Sequence, residues 1–418
     1  MKQKQTILLF QSGEPTHFDK KFLPMRLVNL SNLLALKGYN VKIITPLFSH
    51  QEKKFRKKKD YALKYKNINY IFLNSPGYDK NISLRRLYDH IILAKNLWKA
   101  LKRLNNIDYV VSGYPPVESC FVLSIWCKKN KIPLMIDYKD FWPETFTYNK
   151  NFLFKFLAIP LIVFYYILRN YSLKYCKSIL TISNSFLDNL DNDLKKKKII
   201  GFLTKEKQNI IYLKKINNLI KIRFKNNKKK IIFIGTFMTD TFDFKTLAKL
   251  KKFIENSDNL EFHFFGFGPS KNIVMDILKF KNIFFYNSVN KQEVNYVLRK
   301  AYAVYLPIKN RIDFSKSIPN KIVDAIQFKV PIITCLKGET GKLIKRYKIG
   351  FVYKNHSDLL LYLKKISKKE VYLKIKKNYL NSKIDNLFNH DKNYEKIFNR
   401  IYNDLNKDFA NQLLKTTN

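Results

Sequence analysis

The chain has 418 residues, 46% of them hydrophobic, and carries a formal net charge of +47 from 79 Lys and Arg against 32 Asp and Glu. This length exceeds what one compact core usually holds and predicts two domains, while the apolar content excludes a largely disordered chain. The charge indicates an anionic partner such as nucleic acid, anionic lipid or a phosphorylated substrate. Codon usage that favours Lys, Asn and Ile explains the same charge, and both interpretations stay open.

Neither the cysteines nor the histidines form a metal-binding pattern. The four cysteines make no C-x-x-C pair, and no histidine stands at zinc-finger spacing. We therefore expect a reducing compartment and no metal. The first five residues run directly into a predicted strand without a signal segment, which makes the cytoplasm the expected location.

One segment, residues 152–168, is almost wholly apolar. It is shorter than the roughly 20 residues that a membrane-spanning helix needs, and it contains Lys155 and Pro160. Three interpretations stay open: a buried or partly buried helix, a helix lying in the membrane surface, and a transmembrane span, which the length favours least.

The first half of the chain alternates strand and helix patterns. Residues 6–10 predict a buried strand, Leu23, Leu27, Leu30 and Leu34 predict a helix that Gly38 ends, and residues 41–45 predict the next strand. Further strands are predicted at 70–73, 109–112, 134–137 and 178–183. This is the β-α-β pattern of a parallel sheet.

A second alternating series follows a basic, irregular stretch. A strand is predicted at 209–213, and then strands at 231–235, 261–265, 283–286, 303–306 and 331–335, with helices at 246–254 and over the last thirty residues. The pattern predicts an α/β fold of two doubly wound domains, 1–205 and 206–388, with a helix at 389–418 packing back on the first domain. Ligands are then expected where strands end and loops meet helix N-termini.

Three loops of the second half fit that expectation. Gly235 and Thr236 follow the first strand, and Gly266 and Gly268 follow the second. Such glycines allow a ligand to approach the backbone, or they serve only the turn. Residues 315–324 predict a helix with Pro319 in its first turn and Ser317 as its cap. Its polar side could bind a diphosphate and a ribose, although the helix dipole alone favours an early Asp.

The sequence around these loops resembles a known family. Residues 317–321 (SIPNK), 324–333 (DAIQFKVPII), 338–339 (GE) and 266–269 (GFGP) resemble the C-terminal domain of family 4 glycosyltransferases with the GT-B fold. Residues 139–144 (KDFWPE) resemble a loop of the subgroup that builds bacterial surface polysaccharides.

The resemblance implies a function and a set of site residues. Two Rossmann-like domains would face each other across a cleft, and a sugar would pass from a UDP- or GDP-sugar, without a cofactor or metal and with retained configuration, to a glycan or polyprenyl-diphosphate-linked acceptor. It implies acceptor binding by Gly13, Arg26 and Lys139, with Asp140 and Lys316 as catalytic candidates. Arg26 and Lys139 are the candidates for binding a phosphate of the acceptor. The implied donor-binding residues are Gly235, Thr236, Gly266, Gly268, Arg311, Asn320, Lys321, Asp324, Gly338 and Glu339.

The chain departs from the family pattern at the donor site. Lys316 stands where the family usually has its first glutamate, and Asp324 replaces the second; Thr236 and Thr241 replace an Arg and a Lys. Lysines and arginines at 309, 311, 316 and 321 would then supply the positive charge. Three alternatives stay open: an inactive binding homologue, an epimerase-like enzyme of the same fold, and a nucleic-acid-binding protein, for which no motif is present.

Overall fold

The computed structural model describes residues 4–22, 24–57, 65–81, 83–147, 151–188, 192–202 and 216–416. The chain divides into two compact units. Met1–Lys205 and His390–Asn418 form the N-terminal unit, and Glu206–Asn389 forms the C-terminal unit. Leu23, the predicted junction near residue 205 and the strand predicted at 209–213 lie outside the described residues.

The N-terminal unit contains, in its described part, a seven-stranded parallel sheet of order β5-β2-β1-β6-β7-β8-β9. The strands of this sheet are β1 (Thr6–Phe10), β2 (Asn40–Pro46), β5 (Ile68–Leu73), β6 (Tyr109–Tyr114), β7 (Leu134–Tyr138), β8 (Ser178–Thr181) and β9 (Lys198–Ile200). Two further strands, β3 (Phe48–Ser49) and β4 (Lys54–Phe55), form a separate small hairpin. Its helices up to residue 196 are α1 (Arg26–Leu36), α2 (Leu84–Leu101), α3 (Val117–Asn130), α4 (Phe152–Leu157), α5 (Ile159–Tyr175) and α6 (Asn192–Lys196).

The C-terminal unit contains, in its described part, a six-stranded parallel sheet of order β12-β11-β10-β13-β14-β15. Its strands are β10 (Lys229–Ile234), β11 (Leu260–Phe265), β12 (Ile283–Tyr286), β13 (Ala303–Leu306), β14 (Ile332–Thr334) and β15 (Gly350–Val352). Its helices are α7 (Asn218–Arg223), α8 (Lys245–Ala248), α9 (Lys251–Glu255), α10 (Lys271–Ile277), α11 (Lys291–Lys300), α12 (Ile312–Ser315), α13 (Asn320–Gln327), α14 (Gly338–Tyr347), α15 (His356–Ser367), α16 (Lys369–Asn381) and α17 (Ile384–Leu387). The predicted α/β fold with two doubly wound parallel sheets is confirmed.

Both sheets are covered by helices, which is why most of their strands are nearly continuous apolar runs. In the N-terminal unit, side chains of α1 and of the last helix of the chain, α18 (His390–Thr416), pack on one face of the sheet. Side chains of α2, α3 and α5 pack on the other face. A doubly wound sheet buries its strands in this way and leaves its carboxyl edge to the loops.

Local sequence sets several of the helix ends. The side chain of Ser83 accepts a hydrogen bond from the backbone N–H of Arg86 and caps α2. Asn290 and Glu293 form a reciprocal capping box at the start of α11. The single helix predicted at 246–254 is instead two short helices, α8 and α9, because the backbone at Leu250 is not helical (φ −99°, ψ 17°).

The apolar segment at residues 152–168 also forms two helices in place of one. α4 and α5 meet at Ala158, and Pro160 lies in the first turn of α5, where its missing N–H costs nothing. α4 buries none of its residues, whereas α5 buries Tyr165 and Leu168. No helix within the described residues is long and apolar enough to cross a membrane.

A buried carboxylate attaches α18 to the sheet. Asp404 is 3% exposed and accepts hydrogen bonds from Tyr109 Oη (2.8 Å) and from Ser178 Oγ. Arg400 Nε lies 2.9 Å from Asp404 Oδ1 and also donates to Ser178 Oγ at 2.8 Å. This network joins β6, β8 and the last helix, although more than 200 residues separate Asp404 from either strand residue.

We expect Asp404→Ala to lower the free energy of unfolding by about 3 kcal/mol, because it leaves a buried phenol and hydroxyl without their acceptor. Urea unfolding followed by far-UV circular dichroism measures the change. Asn403→Ala, an exposed neighbour on the same helix, is the control and should stay within about 0.5 kcal/mol of the parent. Equal effects of the two substitutions would show that the network does not stabilise the unit.

Candidate functional site

The loops at the carboxyl edge of the C-terminal sheet bring several of the predicted donor residues together. Because β10, β11, β13 and β14 are parallel, the segments that follow them leave the sheet at the same edge. Those segments contain every residue that the sequence predicts for donor binding, from Gly235 to Glu339.

The loops after β10 and β11 are in backbone contact. Gly235 N donates to Phe265 O at 2.9 Å, and Phe237 N donates to Phe267 O at 2.7 Å. Gly266 has φ +152°, and a Cβ atom there would overlap Gly235 O. A Cβ on Gly268 would meet the backbone of Phe237 at 2.5 Å. Both glycines are therefore required for the two loops to approach each other.

The helix α13 places Lys321 over the first of these loops. A Cβ atom on Gly235 would lie 2.7 Å from Lys321 Cε, so the glycine makes room for the lysine stem. Lys321 Nζ lies 5.7 Å from the centre of the Phe242 ring. Asn320 and Asp324, both half-buried, are four residues apart and share one side of the helix.

The predicted cap of α13 is wrong. Pro319 occupies the N-cap position with extended ψ (144°), and the helix has no side-chain cap. Ser317 Oγ instead donates to Phe314 O at 3.5 Å, because α12 ends just before it and leaves that carbonyl available.

The loop after β13 is joined to the start of α14. A Cβ atom on Gly338 would overlap Ser315 O, and Thr340 Oγ1 donates to Ser317 O at 3.3 Å. The side chain of Asn310 bridges the same segments, since it donates to Cys335 O at 2.9 Å and accepts from Lys337 N at 2.6 Å. These contacts place Gly338 and the half-buried Glu339 beside the 310–317 loop.

The cations that the sequence proposes for the diphosphate differ in their surroundings. Lys309 Nζ donates to Thr239 O at 2.7 Å. Arg311 Nη2 pairs with Asp313 Oδ2 at 2.9 Å, so a neighbouring carboxylate partly neutralises its charge. Lys316 and Lys321 are both half-buried. Thr236 is also half-buried, and Thr241, 9% exposed, donates its backbone N–H to Met238 O.

In the N-terminal unit, the predicted acceptor residues lie in a buried ionic network. Arg26 pairs with Asp137 and donates to Gly201 O. Lys139 pairs with Glu14 and lies 3.1 Å from Asp137 Oδ2. Their side chains are at most 10% exposed. Two carboxylates balance the two cations and would compete with a phosphate for them. The binding of an acceptor phosphate by Arg26 and Lys139 stays a prediction.

The network also organises the loop that contains Gly13. Glu14 Oε2 accepts from the backbone N–H of Leu27 at 2.6 Å and so satisfies a donor in the first turn of α1. Gly13 donates its N–H to Gln11 Oε1 at 3.1 Å and accepts from Gln51 Nε2 at 2.6 Å. Asp140 is exposed, and its carbonyl accepts from Trp142 N at 3.0 Å.

The sequence analysis missed Glu14 and Asp137. Asp137 carried a signal, because it is a charged residue within the apolar strand β7 and is followed two positions later by Lys139. Such a residue in a buried strand requires a partner. Glu14 carried none, since it lies in a polar loop. Within the described residues, no group of three or more His, Cys, Asp and Glu is placed to hold a metal ion.

A comparison with protein families identifies the part of the chain that holds the predicted donor loops. Residues 228–366 match the model of the family described as glycosyl transferases group 1. This segment is similar to the glycosyltransferase group 1 domain of that family. No curated protein sequence matches the chain.

Several solved structures are similar to the chain over almost its whole length. Sucrose-phosphate synthase from Thermosynechococcus elongatus has a TM-score of 0.69 at 11% identity, over 97% of this chain and 100% of that one. HepE from Anabaena, in complex with UDP, has a TM-score of 0.62 at 11% identity, over 96% and 100%. WaaG, a glycosyltransferase involved in lipopolysaccharide biosynthesis, has a TM-score of 0.61 at 14% identity, over 95% and 99%. The GT-B-type fold thus extends over almost the whole chain.

We expect Gly266→Ala to destabilise the group 1 domain by roughly 3 kcal/mol, because the added Cβ overlaps Gly235 O and adopts an unfavourable backbone conformation. Gly38→Ala is the matched control, since Gly38 also has positive φ (+93°) but has nothing within 4 Å of its Cβ position. Thermal and urea unfolding compare the two variants. A loss for Gly266→Ala no larger than that for Gly38→Ala would contradict the close approach of the loops.

Proposed function

We propose that the chain transfers a sugar from a UDP- or GDP-sugar to a glycan or lipid-linked glycan acceptor, in the biosynthesis of a surface polysaccharide. The observation that carries the proposal is the coincidence of two independent results. The family match, residues 228–366, contains all ten predicted donor residues, and the fold gathers their loops at one edge of the sheet.

The donor diphosphate is assigned to the loop after β10 and the start of α13. Gly235 carries no side chain, and the stem of Lys321 lies directly beside its backbone. A lysine at a helix N-terminus adds its full charge to the positive end of the helix dipole. Asp324, on the Asn320 side of α13, is assigned to the ribose hydroxyls, as the resemblance to family 4 implies.

The reaction would break the bond between the anomeric carbon and a diphosphate oxygen, while an acceptor hydroxyl oxygen forms the new bond and loses its proton. Negative charge develops on the leaving diphosphate and positive character on the sugar ring. Lys316 and Lys321 are assigned to the diphosphate, since preorganised charges stabilise such a state without reorganising. Asp140 is assigned to the sugar or acceptor, and configuration is proposed to be retained.

Asp324→Ala should weaken nucleotide binding by about ten-fold, because a carboxylate that accepts from ribose hydroxyls contributes about 1.5 kcal/mol. Calorimetric titration of UDP, GDP and their common sugars measures this. Asp276→Ala is the matched control, since Asp276 is an exposed carboxylate on another helix of the same unit, and it should leave the affinity unchanged.

The alternatives give different results in the same experiment. A folded protein that binds no nucleotide would contradict the enzyme proposal and favour a binding homologue with a lost donor site. Binding of a nucleotide-sugar followed by isomerisation of the sugar, without release of the nucleoside diphosphate to an acceptor, would favour an epimerase-like enzyme. Isotope-resolved product analysis separates these outcomes.

The acceptor is proposed to be lipid-linked because of an apolar surface on the N-terminal unit. We call it the α4–α5 face; its exposed side chains are Phe152 (84%), Leu153 (64%), Phe156 (60%), Leu157 (68%), Phe164 (52%) and Ile167 (61%). Lys155 and Lys174 are exposed on the same two helices. An apolar face with flanking lysines on a strongly basic chain suits the surface of an anionic membrane.

The double substitution Phe152→Ser with Phe156→Ser should reduce association with vesicles containing phosphatidylglycerol by about ten-fold or more. The variant lacks two exposed aromatic rings whose transfer from water into the membrane favours binding. Flotation at moderate salt measures the bound fraction. Leu373→Ser with Leu380→Ser, two exposed leucines on α16, is the control pair and should float like the parent. If the parent itself stays with the soluble fraction, the membrane contact is wrong.

A further inference from the structure

A second group of basic and aromatic side chains lies at the carboxyl edge of the N-terminal sheet, outside the Arg26–Lys139 network. The hairpin after β2 supplies His50 and Lys53, the loop after β5 supplies Tyr78, and the first turn of α2 supplies Arg86. Lys53 has a left-handed backbone (φ 54°), which costs energy for a residue with a side chain. The hairpin turn therefore holds this lysine at an energetic cost.

Tyr78 lies at the centre of the group and is 6% exposed. Lys53 Nζ lies 4.3 Å from the centre of its ring, and the Arg86 guanidinium lies 5.3 Å from it. Tyr78 Oη is 2.6 Å from His50 Nδ1, and Lys53 Nζ is 3.4 Å from the same nitrogen. The two cations thus converge on one ring, with an imidazole beside them.

The positive charge of the group is not balanced by direct ion pairs. Lys53 donates to the Asn81 side chain at 2.6 Å, and Arg86 donates to Asn81 O at 2.6 Å and to His90 Nε2 at 3.3 Å. In the described ranges, neither cation forms an ion pair with a carboxylate. The nearby Asp89 accepts instead from the N–H of Gly77.

The energetics of protonation agree with this geometry. Burial, followed by the repulsion from Arg86, lowers the pKa of Lys53 to about 8, although the charges of Asp79 and Asp89 act in the opposite direction. Burial and the charges of Lys53 and Arg86 also lower the pKa of His50 to about 3. Part of each shift comes from the mutual repulsion of neighbouring cations, and a bound anion would reduce that repulsion. The protonated Lys53 would gain a partner when an anion binds.

Two buried aromatic rings, Trp142 and Tyr165, connect the group to the α4–α5 face. The Arg86 guanidinium lies 5.2 Å from the centre of the Trp142 ring, and Trp142 packs edge-on against Tyr165 of α5 at 6.5 Å. Tyr165 in turn contacts Phe164, which is exposed on that face. Packed aromatic rings therefore connect Arg86 to α5, the helix that carries part of the apolar face.

We propose that Lys53 and Arg86, on either side of the group around Tyr78, bind the phosphate or diphosphate of a lipid-linked acceptor. The inference rests on the proposed function, because it takes the ligand to be the acceptor. It differs from the sequence prediction, which assigned an acceptor phosphate to Arg26 and Lys139. Those two cations already have carboxylate partners, whereas Lys53 and Arg86 form no direct ion pair with any carboxylate of the described residues. Charge-assisted hydrogen bonds from both cations would fix the head group, and the apolar chain would follow the α4–α5 face.

The probes are inorganic pyrophosphate and farnesyl diphosphate, titrated calorimetrically into the full chain with UDP present to occupy the donor site. Lys53→Gln and Arg86→Gln remove one charge each and keep side-chain length similar. Each should weaken farnesyl diphosphate binding by about ten-fold. Lys54→Gln is the matched control, because Lys54 is exposed on the same hairpin and its loss lowers the net charge equally. It should change the affinity less than two-fold.

The two probes distinguish the sources of the anion. Farnesyl diphosphate binding at least ten-fold more tightly than pyrophosphate supports a lipid-linked ligand. Equal affinities overturn the lipid part and leave a site for free phosphate. Binding that both glutamine variants retain, or that Lys54→Gln reduces as much, overturns the site itself.

Folding and donor binding provide the remaining readouts. If Arg86→Gln does not fold, Arg86→Lys, which keeps the charge but not the planar fork, takes its place and should show an intermediate loss. Both variants should bind UDP-sugars like the parent. If the variants bind both nucleotide and farnesyl diphosphate like the parent, the inference is wrong and the proposed function is unaffected. If the parent itself binds no nucleotide, the proposed function is wrong.

Discussion

Four charged side chains with almost no access to solvent hold the carboxyl edge of the N-terminal sheet together. Arg26 begins α1, Asp137 lies in β7, Lys139 follows that strand, and Glu14 comes from the loop after β1. Removing any one of them would leave a buried charge without its partner, which costs several kcal/mol. The network therefore fixes the edge from which the loops of this unit leave, including the loops that carry His50, Tyr78 and Trp142.

At the carboxyl edge of the C-terminal sheet, backbone contacts hold the loops after β10 and β11 together. Its loops approach so closely that no side chain fits at Gly266, and the stem of Lys321 occupies the space above Gly235. This arrangement holds Lys321 beside the loop after β10, where the donor diphosphate is proposed to bind. At the N-terminal edge, Lys53 and Arg86 lie instead over the ring of Tyr78, an arrangement that suits a ligand with both an anionic and an apolar part.

The positively charged side chains of the chain differ in the groups that they contact. Arg26, Lys139 and Arg311 are balanced by carboxylates, and Lys309 donates to a backbone carbonyl. An anionic ligand would have to compete with these protein partners for the same cations. Lys53 and Arg86, by contrast, are held against rings and neutral polar groups. Net charge alone does not separate the two classes, because it ignores which carboxylates lie nearby.

The sequence by itself determined the fold class, most of the strands and the loops of the C-terminal unit, because burial on both faces of a parallel sheet imposes apolar runs and glycines mark close turns. It also pointed to the group 1 domain through residues 317–339. Only the tertiary structure decided which cations are already paired, that 152–175 forms two helices, and that Lys53, Tyr78 and Arg86 meet. The physical reason is that pairing and burial depend on contacts between residues far apart in the chain, such as Glu14 with Lys139, and local patterns carry no information about them.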